Sequence, residues 1–388
     1  MSRFIKLVTN DFHNASRDKR ELSVVKELQQ EIIVVARGNN TIEQNENYTI
    51  HRRTSRPLGN CKMLRQINRL ISIFTWAYYV RKLKADCISC HNWMALFIGW
   101  LSTWVMKNKP KLIYDAHEFE IGRNTDGKRG KFAQWLIPKA EKFLMKKCAF
   151  SMMVNDSIAD AVQQIYKLDK RPLVVRNIPP YWELDEERCK IVRKEICDSL
   201  GIAENTFLIM YHGGVVYNRG IETLLKVVKA DYNIACVILG NGEINYIKKL
   251  EAMTNELGIS NRILFYQAVS IDVLKDYVGA VDCGMVTIPN ACESYYYMLP
   301  NKFFENIQSE TPVIGSEFPE IKRIIDKHEI GLYCDPEKIE SIVECIEKLR
   351  TDGEMYRSIK NNLKVAKEEL CWENEKKILK EAYRKILS

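Results

Sequence analysis

The 388-residue chain contains no D-x-D and no G-x-G-x-x-G. The first absence removes one common carboxylate pair for holding a metal ion, so a metal site built on that motif is not expected. The second weakens a dinucleotide-binding reading. The longest apolar run, residues 93–106, is 14 residues long, too short to span a bilayer. Among 12 cysteines, Cys87 and Cys90 form a C-x-x-C, but no second pair follows at zinc spacing and the segment reads as a buried strand. The first ten residues read as a strand rather than a leader. Scattered cysteines behind such a start are expected to be reduced thiols of a cytoplasmic protein.

What is present is ordinary globular composition, 46% hydrophobic and 28% charged, with length for two cores. The net charge of +8 hides an asymmetry: residues 1–180 carry 31 Lys+Arg against 16 Asp+Glu, and the remainder carries 27 against 34. Halves of opposite sign imply two domains with different partners, the basic one meeting something acidic.

In order, residues 4–8 read as a strand, 10–20 as a polar loop, the stretch to about residue 30 as a helix, and 32–35 as a strand. Residues 39–60 read as loop with a short strand. Residues 63–83 read as a largely buried helix with basic ends, Arg65, Arg69, Arg81 and Lys82 alternating with Leu64, Ile67, Leu70, Ile71, Phe74 and Trp76. Residues 86–89 and 111–114 read as strands around a helix at 93–106. His91-Asn92 ends the first strand and Asp115-Ala116-His117-Glu118 the second. Polar residues at strand C-termini are the doubly wound pattern, where ligands bind.

Residues 122–148 interleave Arg123, Lys128, Arg129, Lys131, Lys139, Lys142, Lys146 and Lys147 with Phe132, Trp135, Leu136, Ile137, Phe143 and Leu144. Either this helix packs its apolar face on its own sheet, or it lies on anionic lipid. Nucleic acid is not expected, since no recognisable module accompanies the charge. A strand at 151–154, a helix at 157–166 capped by Ser157 or Asp156, and a strand at 173–175 lead to Asn177-Ile178-Pro179-Pro180, a linker.

The second half opens with a charged helix at 185–200. A strand at 207–211 then feeds His212-Gly213-Gly214-Val215-Val216-Tyr217-Asn218-Arg219-Gly220 and a helix at 221–228. Glycines at such a turn admit phosphate close to the backbone, and Arg219 offers a fork of donors. Further on, MLPNKFFENIQSETPVIG (residues 298–315) reads as a helix opening at Lys302 and a buried strand at 313–315. Lys302 and Glu305 lie at (i, i+3), suited to a ligand with both phosphates and vicinal hydroxyls, or simply paired on a surface helix.

LPNKFFE, the following TPVIGSEFPEIKRIIDKHEIGLYCDP, the Gly-Gly loop, Gly240-Asn241-Gly242 and D-A-H-E together resemble the retaining, nucleotide-sugar-dependent glycosyltransferases of the GT-B fold, the glycosyl transferases group 1 family. The likeness is good over residues 205–336 and loose over 1–180. It implies two Rossmann-like doubly wound α/β domains facing across a cleft. Residues 1–180 would bind the acceptor, 181–370 the nucleotide sugar, and the helix 371–388 would cross back to the first domain. It places Glu305 on the ribose hydroxyls, with Asn301, Gly213 and Gly214 also at the donor, and puts Arg219, Lys302 and His117 in the catalytic roles. The family's first paired glutamate falls on Tyr297, the nearest upstream carboxylate being Glu293, and the loop's first basic position falls on Gly214. No cofactor or metal is implied. The implied activity is hexosyl transfer to a saccharide or lipid-linked saccharide in cell-surface polysaccharide synthesis, with peripheral contact at the inner face of the membrane. A sugar-nucleotide 2-epimerase of the same fold, or a degenerate nucleotide-sugar-binding protein, stands as the alternative.

Overall fold

The computed structural model describes residues 2–13, 15–54, 62–104, 106–123 and 130–387. Lys128 and Arg129 lie outside them, as do the side chains of Leu64, Arg65 and Arg69. The chain divides into two units, Met1–Arg176 with Glu375–Ser388, and Asn177–Asn374.

The first unit runs β1 (Arg3–Leu7), α1 (Ser16–Glu27), β2 (Glu31–Arg37), β3 (Ile42–Gln44), β4 (Thr49–Arg53), α2 (Lys62–Lys82), β5 (Cys87–Cys90), α3 (Trp93–Ser102), β6 (Lys111–Asp115), α4 (Lys131–Met145), β7 (Phe150–Met153), α5 (Asp156–Tyr166) and β8 (Leu173–Val174). Its sheet order is β3-β4-β2-β1-β5-β6-β7-β8, parallel except for the β3–β4 pair. Strand order reverses between β1 and β5, the switch point at which open α/β sheets take ligands. β5 is buried throughout, as expected of a parallel strand covered on both faces.

Several local expectations change. The polar stretch 10–20 is not all loop: α1 starts at Ser16, which puts Arg17 and Asp18 in its first turn. The cap of α5 is Asn155, whose side chain accepts from the Ile158 N–H at 2.9 Å; three cap-type residues stand in a row there, and Asn155 is the one with extended backbone. α2 is helical as expected but not largely buried. Trp76, Ala77 and Val80 face inward, while Leu70, Ile71, Phe74 and Tyr78 are exposed, Phe74 by 61%. The sequence period gives an apolar face without saying whether anything covers it.

The second unit runs α6 (Glu186–Leu200), β9 (Phe207–His212), α7 (Ile221–Ala230), β10 (Ile234–Leu239), α8 (Ile244–Leu257), β11 (Ile263–Tyr266), α9 (Ile271–Gly279), β12 (Cys283–Val286), α10 (Glu293–Tyr296), α11 (Asn301–Gln308), β13 (Val313–Ser316), α12 (Pro319–His328), β14 (Gly331–Cys334), α13 (Ile339–Thr351) and α14 (Gly353–Glu369). All pairs in its sheet are parallel, in the order β11-β10-β9-β12-β13-β14, which reverses between β9 and β12. Asp185 caps α6 by accepting from the Arg188 N–H at 3.0 Å, and Gly201 ends it in the left-handed conformation. One core joins Ile209, Ile238, Met285, Phe303, Phe304 and Ile314, so α11 is fixed against the sheet by its two phenylalanines.

The last helix, α15 (Trp372–Leu387), begins in the second unit, where the Trp372 N–H donates to the Pro179 carbonyl at 2.9 Å. From Glu375 onward it belongs to the first unit. There Tyr383 packs edge-on against Phe4 and Phe150 and donates its hydroxyl to Glu21, and Lys380 pairs with Glu27 at 2.7 Å.

Candidate active site

In the first unit, Lys6 is the residue that most needs explaining. It stands in the middle of an apolar strand and its side chain is fully buried. A buried ammonium is tolerable only when paired. Its Nζ pairs with Asp18 at 2.9 Å, with Asp115 at 3.3 Å, and with Glu21, and reaches the Ser89 hydroxyl at 3.3 Å. Arg17 donates to the other Asp115 oxygen at 2.9 Å and to the Val175 carbonyl at 2.7 Å. Arg17, Asp18 and Glu21 share one face of α1, turned toward the sheet.

His117 sits at the edge of this network, about one third exposed. Its Nε2 donates to Asp115 at 3.0 Å and lies 3.5 Å from Asp18. Burial alone would lower the imidazole pKa, but the Asp115 charge and hydrogen bond, with Asp18 adding to them, outweigh it and raise the value to about 9. Asp115 is held well below the usual carboxylate range against its own burial, chiefly by Arg17, His117 and Lys6. His117 is therefore an imidazolium at neutral pH. That form donates to an oxygen rather than accepting a proton. Glu118 does not orient it, since Glu118 pairs with Arg123 at 2.6 Å.

Asp18, His91 and His117 also converge closely enough to suggest a cation site, as do Asp18, Glu21 and Asp115. Their protons argue otherwise. The Thr9 N–H donates to His91 Nε2 at 3.2 Å, so in the neutral ring Nδ1 carries the hydrogen, and burial lowers the His91 pKa to keep the ring neutral. The three carboxylates already share Lys6 and Arg17. These donors suit the chain's own cations.

In the second unit, the turn after β9 lies at the β9/β12 switch point. Gly213 has φ +120°, a conformation that requires glycine. The Gly240 backbone packs so closely that a Cβ there would stand 1.8 Å from the Gly213 carbonyl oxygen. Gly214 faces open space, with nothing within 4 Å of where a Cβ would stand, so no crowding explains the missing cation there; its carbonyl accepts from the Tyr211 hydroxyl at 2.7 Å.

Lys302 and Glu305 do not pair with each other, against the (i, i+3) expectation. Lys302 Nζ lies 3.5 Å from the centre of the Tyr211 ring and beside Gly213. It is buried and has no hydrogen-bond partner among the described residues. Burial and then Arg219 hold its pKa well below the ordinary lysine value, against a smaller opposing effect of Glu305. Glu305 instead accepts from His212 Nε2 at 3.0 Å. Arg219 is half-buried over the Tyr295 ring, 5.0 Å from its centre. Asn301, the first residue of α11, accepts from the Asn177 amide at 2.6 Å. Glu293 is exposed at the start of α10, and Tyr297, just after that helix, is half-buried with its ring edge-on to Tyr296. A first-turn lysine, a flanking arginine and free backbone N–H groups at a helix N-terminus suit a diphosphate.

The second unit thus gathers Gly213, Gly214, Arg219, Asn301, Lys302 and Glu305 around β9, β12 and α11, and the first places His117 in an acidic frame. Sequence reasoning missed Lys6, Arg17, Asp18, Glu21, His212 and Tyr211. The lysine inside F-I-K-L-V was the available signal, since a charge there demands partners.

Residues 192–365 match the family described as Glycosyl transferases group 1, and residues 23–177 match Glycosyltransferase Family 4. An uncharacterized glycosyltransferase of Methanocaldococcus jannaschii is 26% identical over 77% of this chain and 78% of its own length. In fold, the chain resembles sucrose-phosphate synthase from Thermosynechococcus elongatus, with TM-score 0.80, 14% identity, and 100% and 99% of the two chains covered. It also resembles the Anabaena protein HepE in complex with UDP-glucose, with TM-score 0.75, 13% identity and both chains fully covered. Two family matches spanning most of the chain, over two doubly wound parallel sheets, place it among the glycosyltransferases of the GT-B fold.

Proposed function

We propose that this glycosyltransferase moves a hexosyl group from a nucleoside-diphosphate sugar to a saccharide or lipid-linked saccharide, with retention of anomeric configuration. The observation that carries the donor reading is Lys302, a buried and unpartnered amine beside Gly213. The orphaned amine would gain a partner in the diphosphate. Lys302 and Arg219 would oppose the negative charge that grows on the leaving diphosphate as the glycosidic bond breaks. Glu305 would hold the ribose hydroxyls, with Asn301, Gly213 and Gly214 lining the donor. Glu293 or Tyr297 would contact the transferred sugar in place of the absent first glutamate. His117, protonated, would donate to the reacting sugar. Retention rests on the resemblance of the motif residues. The first unit would bind the acceptor.

A membrane location at the inner face, and with it a part in cell-surface polysaccharide synthesis, draws on two exposed helical faces of the first unit. On α4, Phe132, Trp135, Leu136 and Phe143 are exposed, Phe132 by 71%, with Lys139 over Trp135 at 3.6 Å and Lys147 over Phe143 at 5.5 Å. On α2, Leu70, Ile71, Phe74 and Tyr78 form a second exposed stripe. Aromatic and basic side chains so interleaved suit an anionic bilayer. No helix among the described residues is long and apolar enough to cross a membrane.

The test is a thermal-shift panel of UDP, GDP, dTDP and ADP, followed by product analysis with the matching sugar nucleotide. UDP is the first candidate, because HepE was crystallised with UDP-glucose. Stabilisation by one diphosphate and transfer of its sugar support the reading. Epimerised nucleotide sugar without transfer, or binding without any turnover, overturns it.

A further inference from the structure

His212 takes no part in the roles assigned so far, yet it is the group that fixes Glu305. It is the last residue of β9, paired in register with Leu239 of β10, in the middle of the second unit's sheet. Its ring is almost wholly buried, at 2% exposure. Nε2 faces Glu305 Oε2 at 3.0 Å. A carboxylate only accepts, so Nε2 carries the hydrogen. Nδ1 is buried with no hydrogen-bond partner among the described residues. An interior histidine that served packing alone would be expected to satisfy both nitrogens or to be replaced by an apolar ring, because an orphaned buried polar atom costs stability.

The bond has a direction that serves a ligand. Glu305 has three rotatable side-chain bonds and keeps 14% of its side chain exposed, so alone it would sample several orientations. The histidine, anchored by a central strand, restrains one oxygen and leaves Oε1 without a partner among the described residues. A vicinal diol presents two O–H donors to a carboxylate, and it gains most when the carboxylate is already oriented.

We propose that His212 is a positioning residue for Glu305, and that the pair sets a preference for ribonucleoside over 2′-deoxyribonucleoside diphosphates. This rests on the reading of Glu305 as the ribose-binding carboxylate. The experiment is isothermal titration of the full chain with UDP and dUDP, GDP and dGDP, ADP and dADP, and with dTDP, on the parent, His212→Gln, His212→Phe and Glu305→Gln. A hydrogen bond to a charged group is worth about tenfold or more in affinity, so the parent is expected to favour the ribo form of its nucleotide by about that factor. His212→Phe is expected to bring the ratio near one by weakening the ribo form alone. His212→Gln, which returns an N–H donor, is expected to restore part of the ratio and supplies the measurement if the phenylalanine variant does not fold. If Glu305→Gln removes the preference while both His212 variants keep it, Glu305 retains its role and the proposal for His212 falls. An equal loss for ribo and deoxy forms in the His212 variants also overturns it, leaving a structural bond. A parent without any preference, or one that binds only dTDP, overturns both.

Discussion

Lys6 and Lys302 are both buried lysines, one in each unit, and they are treated in opposite ways. Lys6 has three carboxylates around its ammonium, which raise its pKa although burial alone would lower it. Lys302 has a tyrosine ring, an arginine nearby and no hydrogen-bond partner among the described residues. A buried cation already neutralised contributes to the folded state, whereas one left alone weakens it. Charge balance within each cluster therefore separates a lysine committed to the framework from one whose amine is left unpartnered.

The same substitution at the two lysines gives the sharpest contrast. Lys6→Met is expected to cost about 3–5 kcal/mol of stability, since it strands buried carboxylates. Lys302→Met is expected to leave the melting temperature unchanged or higher. Equal losses of melting temperature would erase the distinction. In kinetics the order reverses: Lys302→Met is expected to raise the transfer barrier by about 2–4 kcal/mol, seen in kcat with the saturated donor.

The pH dependence sharpens the comparison further. The His117 pKa is raised, so its ion pairs contribute fully below the unfolded value near 6.5 and are lost as pH rises through about 9. The Lys302 pKa is lowered, so the unfolded chain binds more protons there and stability increases as pH rises toward the ordinary lysine range. His117→Ala is expected to flatten the fall in stability between pH 6.5 and 9, and to remove the decline of transfer rate through about pH 9. Denaturation midpoints and rates across that range check both. A wild-type rate that increases through about pH 9 would mean His117 acts as a base.

The smallest effect is expected at the surface. Phe74→Ser with Trp135→Ser is expected to weaken binding to anionic vesicles severalfold in a salt-sensitive sedimentation assay, without lowering melting temperature. Exposed charge is screened beyond about 8 Å at physiological ionic strength, so the parent's binding is expected to fall as salt is added.

The second unit was the more legible in sequence because its cues are local. The Gly213-Gly214 turn, Arg219 before α7, and the Pro300-Asn301-Lys302 start of α11 each declare themselves within a few residues. The first unit's polar network was not legible, because Lys6, Asp18, Ser89 and Asp115 meet only when β1, α1, β5 and β6 are assembled. The Lys302–Glu305 pairing failed for the same reason. Local spacing predicted an ion pair, but His212, 93 residues away in sequence, takes the glutamate. The exposed stripe on α2 shows the converse limit, since periodicity reports a face but not its neighbour.

The tail of α15 has a consequence for synthesis. Tyr383 fills the core beside Phe4 and Phe150 and bonds Glu21, 362 residues away in sequence. A ribosome translating this chain releases the first unit's strands before the second unit, but the hydroxyl that meets Glu21 emerges only after the second unit. The second unit, contiguous from Asn177 to Asn374, has all its parts before then. The first unit is thus completed after the second, and until then the buried cluster around Lys6 lacks one of its donors.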